Sequence, residues 1–258
     1  MFFDPYLLQR CIGVIDLQNG KAVRAVAGKR DRYEPVRSFR QRDGKPRVVA
    51  GDPQSLLHCY LEAGVESIYV ADLNAIRFAT PQRTLLESLL HSHANCSGGM
   101  FLFDIGVNGF ETVSQIERIN RWLSVHPHAR LVIGCESAQG AEATLQHLCD
   151  IPFHRLAVSF DFQGGGWMSD ESVPDEWAMA CRKHNIDTVI GLDLAAVGGE
   201  SISQTAAVCR FLSTQVPNAT RISGGRIRNA IDARRLLDEG ADRLLVASLF
   251  VGGNPIAS

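Results

Sequence analysis

Eight short apolar runs recur along the chain, and a stretch of helical periodicity follows each of the first seven. The runs cover residues 12–16, 67–72, 100–104, 130–134, 155–160, 188–193, 220–223 and 243–247. Most are apolar throughout, with no polar alternation. Such strands are buried on both faces, as in a parallel sheet covered by helices. Asp52 and Pro53 open the first helical stretch as N-cap and first helical residue, and Gly64 closes it. The others are expected at 81–91, 109–124, 138–148, 174–185, 201–214 and 229–239, the last closed by Gly240. Strands joined this way make right-handed crossovers. Two architectures satisfy the pattern, an open doubly wound α/β sheet and a closed (β/α)8 TIM barrel.

An internal echo favours the barrel. Asp16-Leu17-Gln18-Asn19-Gly20 reappears as Asp161-Phe162-Gln163-Gly164-Gly165, Asp72-Leu73-Asn74-Ala75 as Asp193-Leu194-Ala195-Ala196, and Gly106 as Gly225. The offsets are 145, 121 and 119 residues, near half of the 258-residue chain. Chance recurrence of short Asp-Leu motifs is the alternative, but three echoes in the same order fit a duplicated half-barrel. The length matches one (β/α)8 domain of about 250 residues, so a single domain is expected over 1–258, with 1–10 as an N-terminal extension.

After the eighth run only residues 248–258 remain, and Val251-Gly252-Gly253-Asn254-Pro255 cannot continue as a long helix. The eighth outer helix is therefore expected to be short or missing. The apolar outer face at that seam needs another cover: Phe2, Phe3, Tyr6, Leu7 and Leu8, or a second copy of the chain in a homo-oligomer.

Bulk properties narrow the function. A net charge of −2 and a pI near 6.4 argue against nucleic-acid and anionic-membrane partners. No apolar run reaches the roughly 18–20 residues of a membrane span, and the N-terminus lacks the basic and apolar regions of a secretory signal. The seven cysteines are scattered without a C-x-x-C pair, which suits a reducing cytoplasm and suggests neither a disulfide frame nor a zinc site.

In a closed barrel the site lies at the C-terminal ends of the strands. Asp16, Asp72, Asp104, Asp161 and Asp193 each end an apolar run, and Glu136 lies just past the fourth. One such carboxylate is often a turn or helix cap; five on one rim point to chemistry for some of them. Asp16 and Asp161, on the first and fifth strands, face each other across a barrel and suit general acid–base work. Glycoside hydrolysis also uses two carboxylates. Ser223-Gly224-Gly225 after strand seven and Ala247-Ser248 after strand eight occupy the usual phosphate position of barrels. Gly224-Gly225 as a mere tight turn is the plain alternative.

These residues carry a resemblance. Gly13-Val14-Ile15-Asp16-Leu17-Gln18-Asn19-Gly20-Lys21-Ala22-Val23-Arg24 resembles the opening of the HisA/HisF family, and Val70-Ala71-Asp72-Leu73, Ser159-Phe160-Asp161 and Ser223-Gly224-Gly225 resemble its second, fifth and seventh strands. The match runs from about Cys11 to Phe250 and favours the HisA side, the histidine-biosynthesis ribotide (ProFAR) isomerases. It implies a barrel in which Asp16 and Asp161 act as base and acid in an Amadori aldose–ketose rearrangement, with no cofactor and no metal.

The departures from the family pattern concern the phosphates. The family substrate carries one at each end. The third strand, G-G-G-[VI]-R in the family, reads Asp104-Ile105-Gly106-Val107-Asn108, and the fourth ends in Gly134-Cys135-Glu136 rather than G-S-T. A phosphate there would meet Asp104 and Glu136, and at 5 Å like charges repel by roughly 1 kcal/mol in water and several at intermediate dielectric. The family threonine before the sixth-strand aspartate is Leu192, the S-R-D-G-T loop is Ala195-Ala196-Val197-Gly198-Gly199, and V-G-R-A is Val246-Ala247-Ser248-Leu249. The expectation is a HisA-like isomerase or lyase for a small metabolite with one phosphate: a sugar, a ribosylamine or a related intermediate. Substrate-binding residues are expected at Ser223, Gly224, Gly225, Ala247, Ser248, Asp104, Glu136 and Asp193. The resemblance permits a place in one-carbon, methanopterin-type cofactor biosynthesis. A genuine ProFAR isomerase is one alternative. A silent phosphometabolite-binding barrel or complex subunit is the other, favoured by Leu192 and Val197.

Overall fold

The computed structural model describes residues 4–26, 29–195, 202–225 and 227–252. Phe2, Phe3, most of the 195–199 loop, the first residue of the 201–214 helix and the stretch after Gly252 lie outside them.

Eight parallel strands form the barrel: β1 (Cys11–Gln18), β2 (Ser67–Asp72), β3 (Phe101–Val107), β4 (Ala129–Gly134), β5 (Leu156–Gln163), β6 (Thr188–Asp193), β7 (Thr220–Gly224) and β8 (Arg243–Val246). Each pairs with the next in order. β8 pairs back onto β1 through Cys11, Ile12 and Gly13, which closes the sheet. The open doubly wound alternative is thereby excluded.

Side chains divide by parity. Ile12 on β1, Leu102 on β3, Val132 on β4, Ile190 on β6 and Ile222 on β7 fill the barrel interior. The alternate residues, such as Ile15, Val70, Phe103 and Leu131, pack outward in the larger layer between strands and helices. Both layers are apolar, which is why the strands read as unbroken runs.

Nine helices lie among the described residues: α1 (Pro5–Arg10), α2 (Pro53–Glu62), α3 (Leu73–Phe78), α4 (Arg83–Cys96), α5 (Val113–Val125), α6 (Ala141–His147), α7 (Pro174–Lys183), α8 (Ser203–Gln215) and α9 (Ala230–Asp238). Asp52 caps α2 by accepting from the Ser55 N–H, with Pro53 next in line, as the sequence implied. The sequence pattern missed α3, a short helix opened by Asp72 directly after β2. It also left the stretch after β1 unassigned. There Lys21–Val26 pairs antiparallel with the end of β1 and with Lys29–Pro35.

No helix follows β8 among the described residues. The chain turns at 247–250, and Val251–Gly252 joins Ser38–Arg40 and Pro46–Val48 in a small antiparallel sheet. This sheet and α2 cover the seam. The Phe39 and Phe250 rings stack with centroids 5.2 Å apart, and Tyr60 meets both edge-on. The Tyr60 hydroxyl lies 3.1 Å from the Val14 carbonyl on β1 and 3.1 Å from the Val246 carbonyl on β8, bridging the two strands. Its ring lies so close to Gly13 that a Cβ there would sit 2.7 Å from it. Leu7 and Leu8 of α1 are buried in the same outer layer. Among the described residues, Phe39, Tyr60 and Phe250 pack over the seam, with Leu7 and Leu8 in the same outer layer.

All seven cysteines are free, and five are buried. Burial pushes the Cys11 and Cys181 thiols up to about 12 and Cys209 to about 11, so these act as apolar packing groups. No described helix is long and apolar enough to cross a membrane.

Candidate active site

A cavity of about 200 Å3 opens at the C-terminal ends of the strands. That is below the roughly 300–1,000 Å3 of drug-sized pockets and suits a small metabolite. A wider depression of about 520 Å3 at the opposite pole is lined by Gly98, Gly99, Arg130 and Arg243 and holds none of the strand-end aspartates.

Parity decides which strand-end residues reach the cavity. Asp16 follows Ile12 and Val14 on the inner face of β1, and Asp161 follows Ala157 and Ser159 on β5. Both line the cavity from opposite walls. Ser159 donates its hydroxyl to Asp161 Oδ1 at 2.9 Å, which fixes the carboxylate in a site where it is only 7% exposed. Leu192 of β6 pairs in register with Asp161 and also lines the cavity.

Asp104 and Glu136 line the β3–β4 side. At the end of β3 a bulge shifts the register by two residues, so Val107 takes the pairing after Asp104. Gly106 lies inside the bulge at φ +70, where a side chain would meet the α3 backbone at 2.8 Å. Asp104 Oδ1 accepts the Gly106 N–H at 3.0 Å. Glu111 accepts the N–H groups of Asn108 and Gly109 at 2.9 and 3.0 Å. Three backbone donors of the β3 loop are thus already held by carboxylates.

On the β7–β8 side the cavity is lined by Gly225, Ala247 and the exposed Ser248. Gly225 has φ +108, a backbone conformation suited to glycine.

Seven of the ten sequence-derived site residues therefore meet in one cavity, and three do not. Ser223 has outward parity, and its hydroxyl donates to the Gly191 carbonyl at 3.0 Å. Gly224 packs on Leu245, whose Cβ would lie 2.6 Å from an added methyl. Asp193 is fully buried and accepts the N–H groups of Gly164, Gly165 and Ala195 at 3.0, 2.7 and 3.0 Å. Asp72, its partner in the sequence echo, does the same for Asn74, Ala75 and Gln82. These two aspartates shape loops instead of facing the cavity.

Sequence reading missed Tyr69. It points inward from β2, is 8% exposed, and its hydroxyl donates to Asp104 Oδ2 at 3.2 Å. Burial first, then the charges of Asp104, Asp161 and Asp16, push its phenol well above the ordinary value, so it stays a proton donor. Tyr33, from the hairpin after β1, also lines the mouth. Among the described residues no group of three or more metal-ligating side chains is arranged to hold an ion.

Comparison with known proteins decides the family. The model of the histidine biosynthesis protein family matches residues 10–254. The chain belongs to this family. An uncharacterized protein of Methanocaldococcus jannaschii is 24% identical over 244 residues, covering 95% of this chain and 94% of its own. The 1-(5-phosphoribosyl)-5-((5-phosphoribosylamino)methylideneamino)imidazole-4-carboxamide isomerase (ProFAR isomerase) of Roseobacter denitrificans is 24% identical over 239 residues, 88% of this chain and 86% of its own. That of Shewanella halifaxensis is 23% identical over 258 residues, 93% of each. The chain is a divergent HisA-like barrel, and its family fold is the one the strand pairing closes.

Proposed function

We propose that this HisA-like protein is an acid–base isomerase that acts on a sugar or ribosylamine carrying a single phosphate. One observation carries the reading: Asp16 and Asp161 face a shared cavity whose β7–β8 edge offers Gly225 and Ser248, while the β3-loop N–H groups opposite are already taken by carboxylates. The phosphate belongs at Gly225, Ala247 and Ser248, where a side-chain-free glycine at positive φ lets an anion approach the backbone and an exposed hydroxyl can donate to it. Asp104 and Glu136 suit hydroxyl or amino groups of the substrate better than a second phosphate.

The chemistry needs two carboxyl groups and no cofactor. Asp161 protonates the ring oxygen of the aminoaldose, and the C1–O bond breaks as the nitrogen lone pair forms a C1=N bond. Asp16 removes the C2 proton. That electron pair forms C1=C2 as the C=N electrons return to nitrogen. The enol then becomes the C2 ketone as Asp16, now protonated, delivers a proton to C1 and the Asp161 carboxylate takes up the enol O–H proton, which restores both groups to their starting states. Ser159 holds Asp161 in place for the first step.

A lyase reaction would use the same C2 deprotonation. Placement in one-carbon, methanopterin-type cofactor biosynthesis rests on the family resemblance alone. A non-catalytic binding barrel is the second reading, and Leu192 beside Asp161 favours it.

The test is proton NMR in D2O with ribosylamine 5-phosphates formed in place from ribose 5-phosphate and primary amines. Enzyme-dependent appearance of aminoketose deuterated at C1 supports the isomerase. Tight binding without turnover across the amine series supports the silent barrel instead.

A further inference from the structure

Tyr69 is a buried hydroxyl that the acid–base chemistry does not use. Its position follows from register. Ala71 of β2 lies beside Asp16 of β1 on one side and Asp104 of β3 on the other. Tyr69 is one inward step below Ala71 on the same strand. The small alanine leaves a gap between the two carboxylates, and the phenol rises into it to reach Asp104 Oδ2. The other oxygen of Asp104 accepts the Gly106 N–H. Two donors on two different strands therefore hold one carboxylate, one at each oxygen.

We propose that Tyr69 is a specificity-determining positioning residue. It clamps Asp104 over the Gly106 N–H, so that this edge of the cavity rejects a second phosphate. The inference rests on the single-phosphate reading above and names how that selectivity is built. A carboxylate that loses the phenol's hold on Oδ2 turns more readily away from the Gly106 N–H and releases that backbone donor to an incoming phosphate. One still tied to the barrel-floor phenol stays over it. The Tyr69 hydroxyl is turned to Asp104 Oδ2, so its effect passes through Asp104.

The experiment is calorimetric titration of the full chain with ribulose 5-phosphate and ribulose 1,5-bisphosphate, and the readout is the ratio of the two dissociation constants. In the wild type the monophosphate should bind at least about tenfold more tightly, a difference of about 1.4 kcal/mol. Tyr69→Phe keeps the ring and its packing; it should shrink that ratio about fivefold or more. Asp104→Asn should shrink the ratio at least as much. The double variant should go no further than Asp104→Asn, the non-additivity expected when one residue acts through the other. Melting curves of each variant report whether the barrel is intact. An unchanged ratio in Tyr69→Phe, equal weakening of both ligands, or additive effects in the double variant would overturn the inference while leaving the single-phosphate reading standing. A wild type that binds neither ligand overturns that reading, and this inference with it.

Discussion

Asp72 and Asp193 stand 121 residues apart in sequence and do the same work in the two halves of the barrel. Each is fully buried at the end of its strand, and each carboxylate accepts three backbone N–H groups of nearby loops. Removing either acceptor leaves three partly buried backbone donors without it, and an orphaned donor costs up to about 1–3 kcal/mol. Asp72→Ala and Asp193→Ala should therefore each destabilise the fold by about 2–4 kcal/mol. Asp16→Ala, at a site where stability is traded for function, should change it by less than about 1 kcal/mol. Urea unfolding of the three variants checks this. Equal losses in all three would erase the distinction between loop-shaping and cavity-facing aspartates.

The seam between β8 and β1 gives a second expectation. Gly13→Ala places a methyl group against the Tyr60 ring, and overpacking of this kind costs about 1–3 kcal/mol. Tyr60→Phe removes the hydroxyl shared by the Val14 and Val246 carbonyls and should cost about 1 kcal/mol. Deleting residues 1–9 removes buried Leu7 and Leu8 and should cost about 3 kcal/mol or more. Chemical unfolding measures all three, and size-exclusion chromatography reports assembly. A truncated chain with wild-type stability would show that the small sheet and α2 close the seam unaided.

Substrate selection gives a third. ProFAR carries two phosphates, and the β3 edge presents Asp104 and Glu136 with its loop donors occupied. The wild type should bind ProFAR poorly and fail to complement a strain lacking ProFAR isomerase. Replacing Asp104-Ile105 with Gly-Gly, together with Glu136→Thr and Asn108→Arg, should raise the affinity at least about tenfold, or about 1.4 kcal/mol. Calorimetry on both proteins measures it. Micromolar binding and isomerisation by the wild type would restore the histidine-pathway activity.

The barrel was legible because strands buried on both faces announce themselves as unbroken apolar runs. The same property hid the site's details. Where both faces are apolar, sequence gives no sign of which parity points inward, so Asp193 on the outward parity reads like Asp161 on the inward one. Ser223 fails for the same reason: its neighbour Ile222 faces the interior, and it does not. The β3 bulge, which brings Asp104 over Gly106, depends on a two-residue shift against β4. Strand pairing sets that shift, and no local pattern marks it. Tyr69 looked like an ordinary strand aromatic; only the register of β2 with β3 brings its hydroxyl to Asp104. The hairpin strands after β1, Lys21–Val26 and Lys29–Pro35, are interrupted by charged residues and form no apolar run, and the strands of the sheet at the seam are three residues long or shorter.

The central claim is that Asp16 and Asp161 are the acid–base pair. Its most direct test is the rate of C1 deuteration of a ribosylamine 5-phosphate in D2O, compared among wild type, Asp16→Asn and Asp161→Asn, with circular dichroism to confirm folding. The account predicts that each variant, still folded, loses about 10²–10⁴-fold in turnover. A near-normal rate in either folded variant would contradict it.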